Sequence, residues 1–169
     1  MRIWLTTDTH FGHEKMVEFG RPKGFEEKIL AGLELNTKVG DILIHLGDFC
    51  IGNDAKWLGD YLYRLPGRKH WLIRGNHDRK SNSWYIDHGW DWIGENMELK
   101  MFNKNNIFSH IPLAMFRIPW NSINIHGHLH GNNHRESEVP LTELHKLLAL
   151  ENTNYQPVLL EKFINAKTI

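Results

Sequence analysis

Five short blocks of the chain carry side chains that could bind metal ions or transfer protons. Four imidazoles, two carboxylates and one amide oxygen among them suit Zn, Mn, Fe or Ni better than Mg or Ca, which prefer all-oxygen sites. Seven converging ligands are enough for two metal ions that share a carboxylate, an arrangement typical of phosphate-ester hydrolysis. In chain order the blocks are Asp8-Thr9-His10, Gly47-Asp48, Gly75-Asn76-His77-Asp78, Ser109-His110 and Gly127-His128-Leu129-His130.

The spacing within the blocks indicates how the ligands could converge. Asp8 and His10 stand at positions i and i+2, as do His128 and His130, and on an extended strand such pairs point to the same side. Asp48 can bridge two metals because a carboxylate has two oxygens. Three ligand-bearing turns follow a glycine, whose missing Cβ permits tight backbone geometry: Gly47, Gly75 and Gly127.

Strands and helices alternate in the half of the chain that carries the first three blocks. Apolar runs over residues 2–7, 42–46 and 69–74 predict three buried strands, each delivering one block. The apolar spacing predicts helices over 25–39 and, from a cap at Asn53 or Asp54, up to Leu65. A β-α-β-α-β order implies a parallel sheet with right-handed crossovers.

The second half has a less regular pattern. After a short helix at 83–88, residues 98–102 and 106–110 predict a hairpin around 103–105, and 122–126 predict another strand. Residues 131–140 are polar and loop-like, and 157–164 predict a short helix. Residues 141–151 fit either a capped helix or a strand over 146–151. We expect this half to add a second, more antiparallel sheet.

Composition sets the broad class of the protein. The 169 residues, 41% hydrophobic and 24% charged, favour one globular domain. A net charge of zero gives no indication of a strongly basic face for nucleic acid, so such a partner is possible but not indicated. The single cysteine, Cys50, fits a reducing compartment. With no membrane-length apolar run and no signal-peptide pattern after Met1, we expect a cytoplasmic protein that does not enter the membrane.

The ordered set of blocks resembles the calcineurin-like metallophosphoesterase superfamily, whose pattern is D-x-H, G-D, G-N-H-[DE], H and G-H-x-H. All five blocks are present between residues 8 and 130. The start at 8–13, followed by Arg21-Pro22, is similar to the small bacterial and phage members. The resemblance implies an α/β fold over a single domain, residues 1–169, in which two facing mixed β-sheets are flanked by helices in a four-layer α/β/β/α sandwich.

The resemblance also implies two divalent transition-metal ions, with Mn, Fe, Zn and Ni as the candidates. Asp48 would bridge them, and a bridging hydroxide would attack phosphorus. His77 matches the family histidine that acts as a general acid on the leaving group. The implied ligands are Asp8, His10, Asp48 and His130 for one metal, and Asp48, Asn76, His110 and His128 for the other.

The residues around these positions leave several roles open. Many relatives carry an Asp or Arg soon after the Gly-Asp block, but this chain does not, so Asp78 is a candidate for orienting His77. His13 and Arg21 are candidate contacts for the substrate phosphate, with loop packing and a loop salt bridge as the respective alternatives. Two residues of the loop after His110 could line the pocket, Arg117 and Trp120.

Two function classes follow from this pattern. The leading hypothesis is a phosphoesterase, with phosphodiesters favoured over monoesters because small relatives tend that way and the lack of large insertions leaves an open site. A nuclease is a subcase that the neutral charge weakens. The alternative is a non-catalytic metal-binding scaffold or protein-interaction module on the same fold. A metallo-β-lactamase motif, H-x-H-x-D-H, is excluded because Asn132 and Asn133 follow Gly131. The oligomeric state is left open.

Overall fold

Two β-sheets form the frame of residues 1–131 and 135–166, the part of the chain that the computed structural model describes. The first sheet contains β1 (Ile3–Thr6), β2 (Ile42–His45), β3 (Lys69–Ile73), β4 (Trp92–Gly94) and β9 (Val158–Leu159), in the order β4-β3-β2-β1-β9. The second contains β5 (Asn96–Met101), β6 (Lys104–Ser109), β7 (Ser122–His126) and β8 (His145–Leu147), in the order β5-β6-β7-β8. Residues 132–134, within the polar segment predicted as a loop, and 167–169 lie outside the described residues.

The first sheet confirms the predicted β-α-β-α-β order. Strands β1 to β4 are parallel, and the helices α2 (Phe25–Asn36) and α3 (Asp54–Arg64) connect the first three of them. Asn53 caps α3, because its side chain accepts a hydrogen bond from the Lys56 N–H at 3.1 Å. The short helices α1 (Lys15–Glu18) and α4 (Asn82–Asp87) lie in the connections. Strand β4 was not predicted, since three residues give no readable periodicity.

The second sheet is less antiparallel than predicted. Only β5 and β6 run antiparallel, whereas β6, β7 and β8 are mutually parallel because long connections carry the chain back between them. The hairpin turn is tighter than the predicted 103–105. Met101 pairs with Lys104, and the two turn residues Phe102 and Asn103 have φ of 56° and 61°.

The two ambiguous segments near the end of the chain form short elements. Residues 141–151 contain β8 and the start of a 3₁₀ turn at Leu150–Thr153, so the strand alternative is closer than the helix. The predicted helix at 157–164 begins only after β9, as α5 (Leu160–Asn165).

Two apolar cores hold these layers together. Between the sheets, Leu5 and Ile44 of the first sheet pack with Phe108 and Ile125 of the second, all of them fully buried. On the other face of the first sheet, residues of α2 and α3 form the second core. The prediction of two mixed sheets flanked by helices is confirmed. Within the described residues, no helix has the length and apolarity needed to cross a bilayer.

Candidate metal centre

The predicted ligands follow the carboxyl ends of strands from both sheets. Asp8, Asp48 and Asn76 come after β1, β2 and β3, while His110 and His128 come after β6 and β7. Parallel strands bring these ends to one edge of each sheet. Backbone hydrogen bonds also join neighbouring loops, from the Asp8 N–H to the Gly47 carbonyl at 2.9 Å and from the Gly127 N–H to the His110 carbonyl at 3.0 Å. All seven predicted ligands therefore lie in one cluster.

The Asp8 carboxylate is held by the protein through one of its two oxygens. Its Oδ2 accepts hydrogen bonds from the Thr7 hydroxyl at 2.5 Å and the His128 N–H at 3.0 Å. Its Oδ1 is buried and has no hydrogen-bond partner among the described residues. That oxygen lies 3.9 Å from His10 Nε2 and 3.8 Å from His130 Nε2. One oxygen thus orients the group and the other faces two histidines.

Asp48 divides its oxygens in the same way. Its Oδ1 accepts a hydrogen bond from the His77 backbone N–H at 2.8 Å. Its Oδ2 lies 3.3 Å from Nε2 of His110, 3.7 Å from Nε2 of His10 and 3.9 Å from Nε2 of His77. A single carboxylate oxygen therefore lies near both His10, which follows β1, and His110, which follows β6. A ligand shared by two metal ions must have such a position.

Among the described residues, three overlapping groups of side chains have the spacing to hold a metal ion, and in each the ligand atoms lie within 4.8 Å of one another. His10 supports a bound cation further, since both of its ring nitrogens are buried without a hydrogen-bond partner in the described part of the chain. Leaving such groups unpaired costs about 1–3 kcal/mol each. Asn76 Oδ1 lies 3.1 Å from His110 Nε2. The donor set fits divalent transition metals. The groups are Asp8, His10 and His130; His10, Asp48 and His77; and Asp48, His110 and His128.

Two of the histidines are oriented through their Nδ1 atoms. His110 Nδ1 donates to the Leu46 carbonyl at 2.8 Å, and His130 Nδ1 lies 3.3 Å from Glu151 Oε1. A partner on Nδ1 fixes the ring and leaves Nε2 directed into the cluster. Sequence reasoning missed Glu151, which lies 21 residues from His130, in the segment with the ambiguous pattern.

The structure does not bring Arg21 to the open face where a substrate phosphate would bind. Its guanidinium is fully buried, pairs with Glu151 at 2.8 Å and donates to the Thr9 carbonyl at 3.2 Å. The chain thus uses this cation to hold Glu151 beside His130. Burial opposes ionisation of Glu151, but the hydrogen bond from His130 and the charge of Arg21 outweigh it and lower the pKa of that carboxyl.

Asp78 joins two ligand loops instead of orienting His77. Its buried carboxylate accepts hydrogen bonds from the N–H groups of Asp48 at 2.9 Å, Phe49 at 3.0 Å and Gly75 at 2.8 Å. The loops are so close that a Cβ at Gly75 would collide with the Asp48 backbone and carboxylate. This close approach confirms the need for glycine predicted at this position.

The backbone at the ligands differs from the predicted extended pairs. Strands β1 and β7 end at Thr6 and His126, and several ligands after them adopt the left-handed conformation. That conformation costs a residue with a side chain roughly 1–2 kcal/mol. Turns, and not strand alternation, therefore direct the side chains inward. The left-handed ligands are Asp8 (φ 45°), His10 (47°), Asp48 (56°), His128 (69°) and His130 (55°).

Burial and the carboxylates set the protonation of the cluster. Burial lowers the pKa of His10 to about 2 and that of His128 to about 4, so both rings are neutral, as metal ligands must be. Burial also acts to lower the pKa of His110, but the hydrogen bond to Asp48 and the charge of Asp8 raise it to about 9. A metal at His110 would displace that proton.

Two open grooves adjoin the cluster, one with His77 in its lining and the other with Asn76 and His110. The first, of about 460 Å³, is called the His77 groove and is lined by His13, Cys50, Ile51, Gly52, Asp54, His77, Arg79 and Lys80. The second, of about 500 Å³, is called the His110 groove, and its lining includes Asn76, Glu95, Asn96, His110, Ile111, Phe116 and Arg117.

These grooves place the remaining sequence candidates. His13 is partly exposed in the His77 groove, with its ring centroid 5.5 Å from that of His10 and 6.3 Å from that of His77. It therefore lies where a substrate could reach it. Arg117 lines the His110 groove, whereas Trp120 borders a separate depression beside the β5–β6 turn.

Comparisons with known proteins agree with this geometry. A sequence model of the family described as calcineurin-like phosphoesterase matches residues 1–165. The chain is 36% identical over 81 residues to the Gene 66 protein of Mycobacterium phage D29, a match that covers 46% of this chain and 40% of that protein. The chain thus matches less than half the length of this curated relative.

Solved structures show the same architecture. A protein of unknown function from Aquifex aeolicus, AQ665, superimposes with a TM-score of 0.73 at 26% identity, covering 96% of this chain and 97% of the other. The nuclease MPE of Pseudomonas putida superimposes with a TM-score of 0.51 at 24% identity, covering 76% of this chain and 62% of that protein. At that identity the second likeness concerns the fold alone.

Proposed function

Because the chain belongs to the calcineurin-like phosphoesterase family, we propose that it hydrolyses phosphodiesters at a centre of two metal ions. The observation that carries this proposal is the position of Asp48 Oδ2, which faces His10 on one side and His110 on the other. A carboxylate shared in this way is what two neighbouring cations require.

The proposed ligand sets meet at Asp48. When bound, a pair of divalent ions supplies an activated water and neutralises charge that builds up on the phosphate. The protein's part is to fix the donors through the hydrogen bonds on the opposite atoms of Asp8, His110 and His130. Manganese, iron, zinc and nickel all suit these donors. One set is Asp8, His10, Asp48 and His130, and the other is Asp48, Asn76, His110 and His128.

His77 is the proposed general acid. Its side chain is 26% exposed, compared with 4% for His10 and 1% for Asp48, so its ring reaches the side from which a substrate arrives. Its backbone N–H is fixed on Asp48 Oδ1 at 2.8 Å. A proton on Nε2 would pass to the leaving oxygen, a contribution of about 10²–10⁴-fold to the rate.

The two grooves support a diester over a monoester. Both open from the cluster, one past His77 and the other past His110. A phosphodiester has two substituents that each need space beside the phosphate, whereas a monoester has one. His13 in the His77 groove is the proposed further contact to the substrate.

The test is hydrolysis of bis-p-nitrophenyl phosphate and p-nitrophenyl phosphate by metal-stripped protein, with Mn, Ni, Zn, Fe(II) or Mg added back in turn. We expect metal-dependent turnover, faster on the diester, that Asp48→Asn abolishes. Asp60→Asn, an exposed carboxylate change on α3, is the matched control and should leave turnover intact. Tight metal binding without turnover of either ester would instead favour a non-catalytic scaffold or protein-interaction module.

A further inference from the structure

The His110 groove starts at two of the proposed metal ligands and runs outward along the loop between β6 and β7. Asn76 and His110 form its inner end, and Ile111, Phe116 and Arg117 of the loop line it further out. Because the inner end is the proposed metal centre, a group that fills this groove would be attached to the phosphate held there. The groove is therefore placed to select one substituent of the ester.

The loop that forms the groove has a fixed backbone. The Leu113 N–H donates to Asn124 Oδ1 at 2.9 Å, and His145 Nε2 donates to the Leu113 carbonyl at 2.8 Å. Asn124 is itself fully buried. The loop closes with a 3₁₀ turn at Met115–Arg117, where the Arg117 N–H donates to the Ala114 carbonyl at 2.8 Å. Side chains on this loop are thus presented from a preorganised platform.

The exposed side chains of the loop are unusually apolar. Phe116 is 90% exposed, Met115 59% and Ile111 44%. Exposed apolar side chains that form a contiguous patch rimmed by polar residues commonly mark a binding surface. Phe116 stands next to Arg117, so an aromatic face and a cation occur side by side at the groove.

The mixture of lining groups indicates the chemistry of the occupant. An alkyl chain would bind best in an enclosed apolar pocket. This groove is open, and its lining includes the Asn96 amide and the Glu95 carboxylate. A flat aromatic ring with hydrogen-bonding edges fits all of these features. Exposed aromatic side chains and arginine are the groups on which nucleobases stack.

We propose that the His110 groove is a nucleoside subsite, with Phe116 as the stacking surface for the base and Arg117 as a cation beside that base. This inference rests on the proposed phosphodiesterase function and narrows its substrate to esters that carry a nucleoside. Such a nucleoside can come from a single-stranded nucleic acid or from a free nucleotide.

The test is equilibrium binding, which is separate from turnover. Thymidine 5′-monophosphate and ethyl phosphate are titrated by calorimetry into the metal-loaded wild-type chain, Phe116→Ala and Tyr63→Ala. Tyr63, 87% exposed on α3, is the matched aromatic control away from both grooves. We expect the wild type and Tyr63→Ala to bind the nucleotide roughly tenfold or more tightly than ethyl phosphate, and Phe116→Ala to lose that preference.

The outcomes separate the two proposals. A wild type that binds both phosphates equally, or a preference that survives Phe116→Ala, would overturn the nucleoside subsite even if diesters are hydrolysed. A nucleotide preference that depends on Phe116, found without turnover, would support the subsite and count against the hydrolase. Binding of a thymidine pentanucleotide identifies the source of the nucleoside. Tighter binding of the pentanucleotide than of the mononucleotide indicates a nucleic acid, and equal binding indicates a free nucleotide.

Discussion

Single residues in the cluster share one arrangement, in which the protein holds one atom of the side chain and another atom is presented to the proposed metal. Asp8 and Asp48 each use one oxygen to accept backbone hydrogen bonds, and His110 and His130 each use Nδ1. Fixing these atoms reduces the reorganisation that binding a cation would require. The groups that hydrogen-bond to the ligand side chains should therefore influence metal affinity almost as strongly as the ligands themselves.

Glu151→Gln tests this influence. The amide keeps the size of the side chain but removes the charge that faces His130 and Arg21. We expect the affinity for the metal to fall about 10–100-fold, measured by competition with a chelator of known affinity. Glu161→Gln changes an exposed carboxylate of α5 and should have no effect. Equal affinity in the two variants would show that Glu151 does not support the site.

His77→Asn tests the general acid. We expect the variant to keep its metals, because the His77 N–H bond to Asp48 comes from the backbone. Its rate should fall, most strongly for diesters with poor leaving groups, which need the proton most. A series of aryl diesters of increasing leaving-group pKa, with metal content measured on the same samples, checks this. An equal loss across the series would contradict the role, and loss of metal would make His77 a ligand, as its grouping with His10 and Asp48 allows.

Residue identity was more predictable from the sequence than residue conformation. The five sequence blocks identified the side chains that cluster, because the capacity to bind metal depends on residue types and on their order in the chain. The left-handed backbone at Asp8 and His128 could not be read from the i and i+2 spacing, which an extended strand explains equally well. The pairing of Arg21 with Glu151 joins residues 130 apart, for which no local pattern gives a signal.

At the scale of elements, β1 and β2 are joined at the end opposite the proposed metal ligands. Asp41, just before β2, accepts hydrogen bonds from the Arg2 N–H at 3.0 Å, from Arg2 Nη2 at 2.9 Å and from Trp4 Nε1 at 3.0 Å. Burial opposes ionisation of Asp41, but these bonds and one from the Lys38 N–H outweigh it and lower its pKa to about 2.

The depressed pKa of Asp41 predicts an acid-dependent loss of stability. The pKa of Asp41 in the folded protein lies below the unfolded value of about 4. Its ionised carboxylate therefore adds to the free energy of unfolding above pH 4, and this contribution disappears as the pH falls toward 2. Asp41→Asn should lower the free energy of unfolding at pH 6 by about 1–2 kcal/mol, and the difference from wild type should close between pH 4 and pH 2. Urea unfolding at several pH values measures this. A difference that stays constant with pH would contradict the assignment.

The elements themselves were predictable where they are long. Helices α2 and α3 have regular apolar spacing, and Asn53 caps α3, so both helices could be located from the sequence, although α2 ends at Asn36 and not at the predicted residue 39. Strand β4, of three residues, gave no such signal, and the pattern around β8, also of three residues, fitted a helix as well as a strand. The parallel pairing of β6 with β7 depends on how a long connection crosses the sheet, which local sequence does not determine.

At the scale of the whole molecule, the proposed metal centre lies where the two sheets meet. Asp48 follows a strand of the first sheet and His110 follows a strand of the second, and their side chains approach to 3.3 Å. Without a cation, the fold bears left-handed ligands and buried nitrogens of His10 that lack partners within the described residues. Metal binding should therefore stabilise the entire fold and not only the loops.

Thermal unfolding measures this coupling. We expect the midpoint to rise when Mn²⁺ replaces EDTA, since a ligand at about 1,000 times its Kd stabilises the native state by about 4 kcal/mol. Asp48→Asn should reduce this rise, because it weakens the shared bridge, while Asp60→Asn should not. Identical midpoints in Mn²⁺ and EDTA would indicate that the cluster does not bind the ion.

The shared two-metal centre is tested most directly by titrating metal-stripped protein with Mn²⁺ while recording bound metal and bis-p-nitrophenyl phosphate turnover in the same samples. Because Asp48 Oδ2 faces both halves of the cluster, we expect two ions per chain, with turnover rising as the second ion binds and levelling off at two equivalents. Full turnover at one equivalent, or none at two, would contradict a centre in which both ions act together.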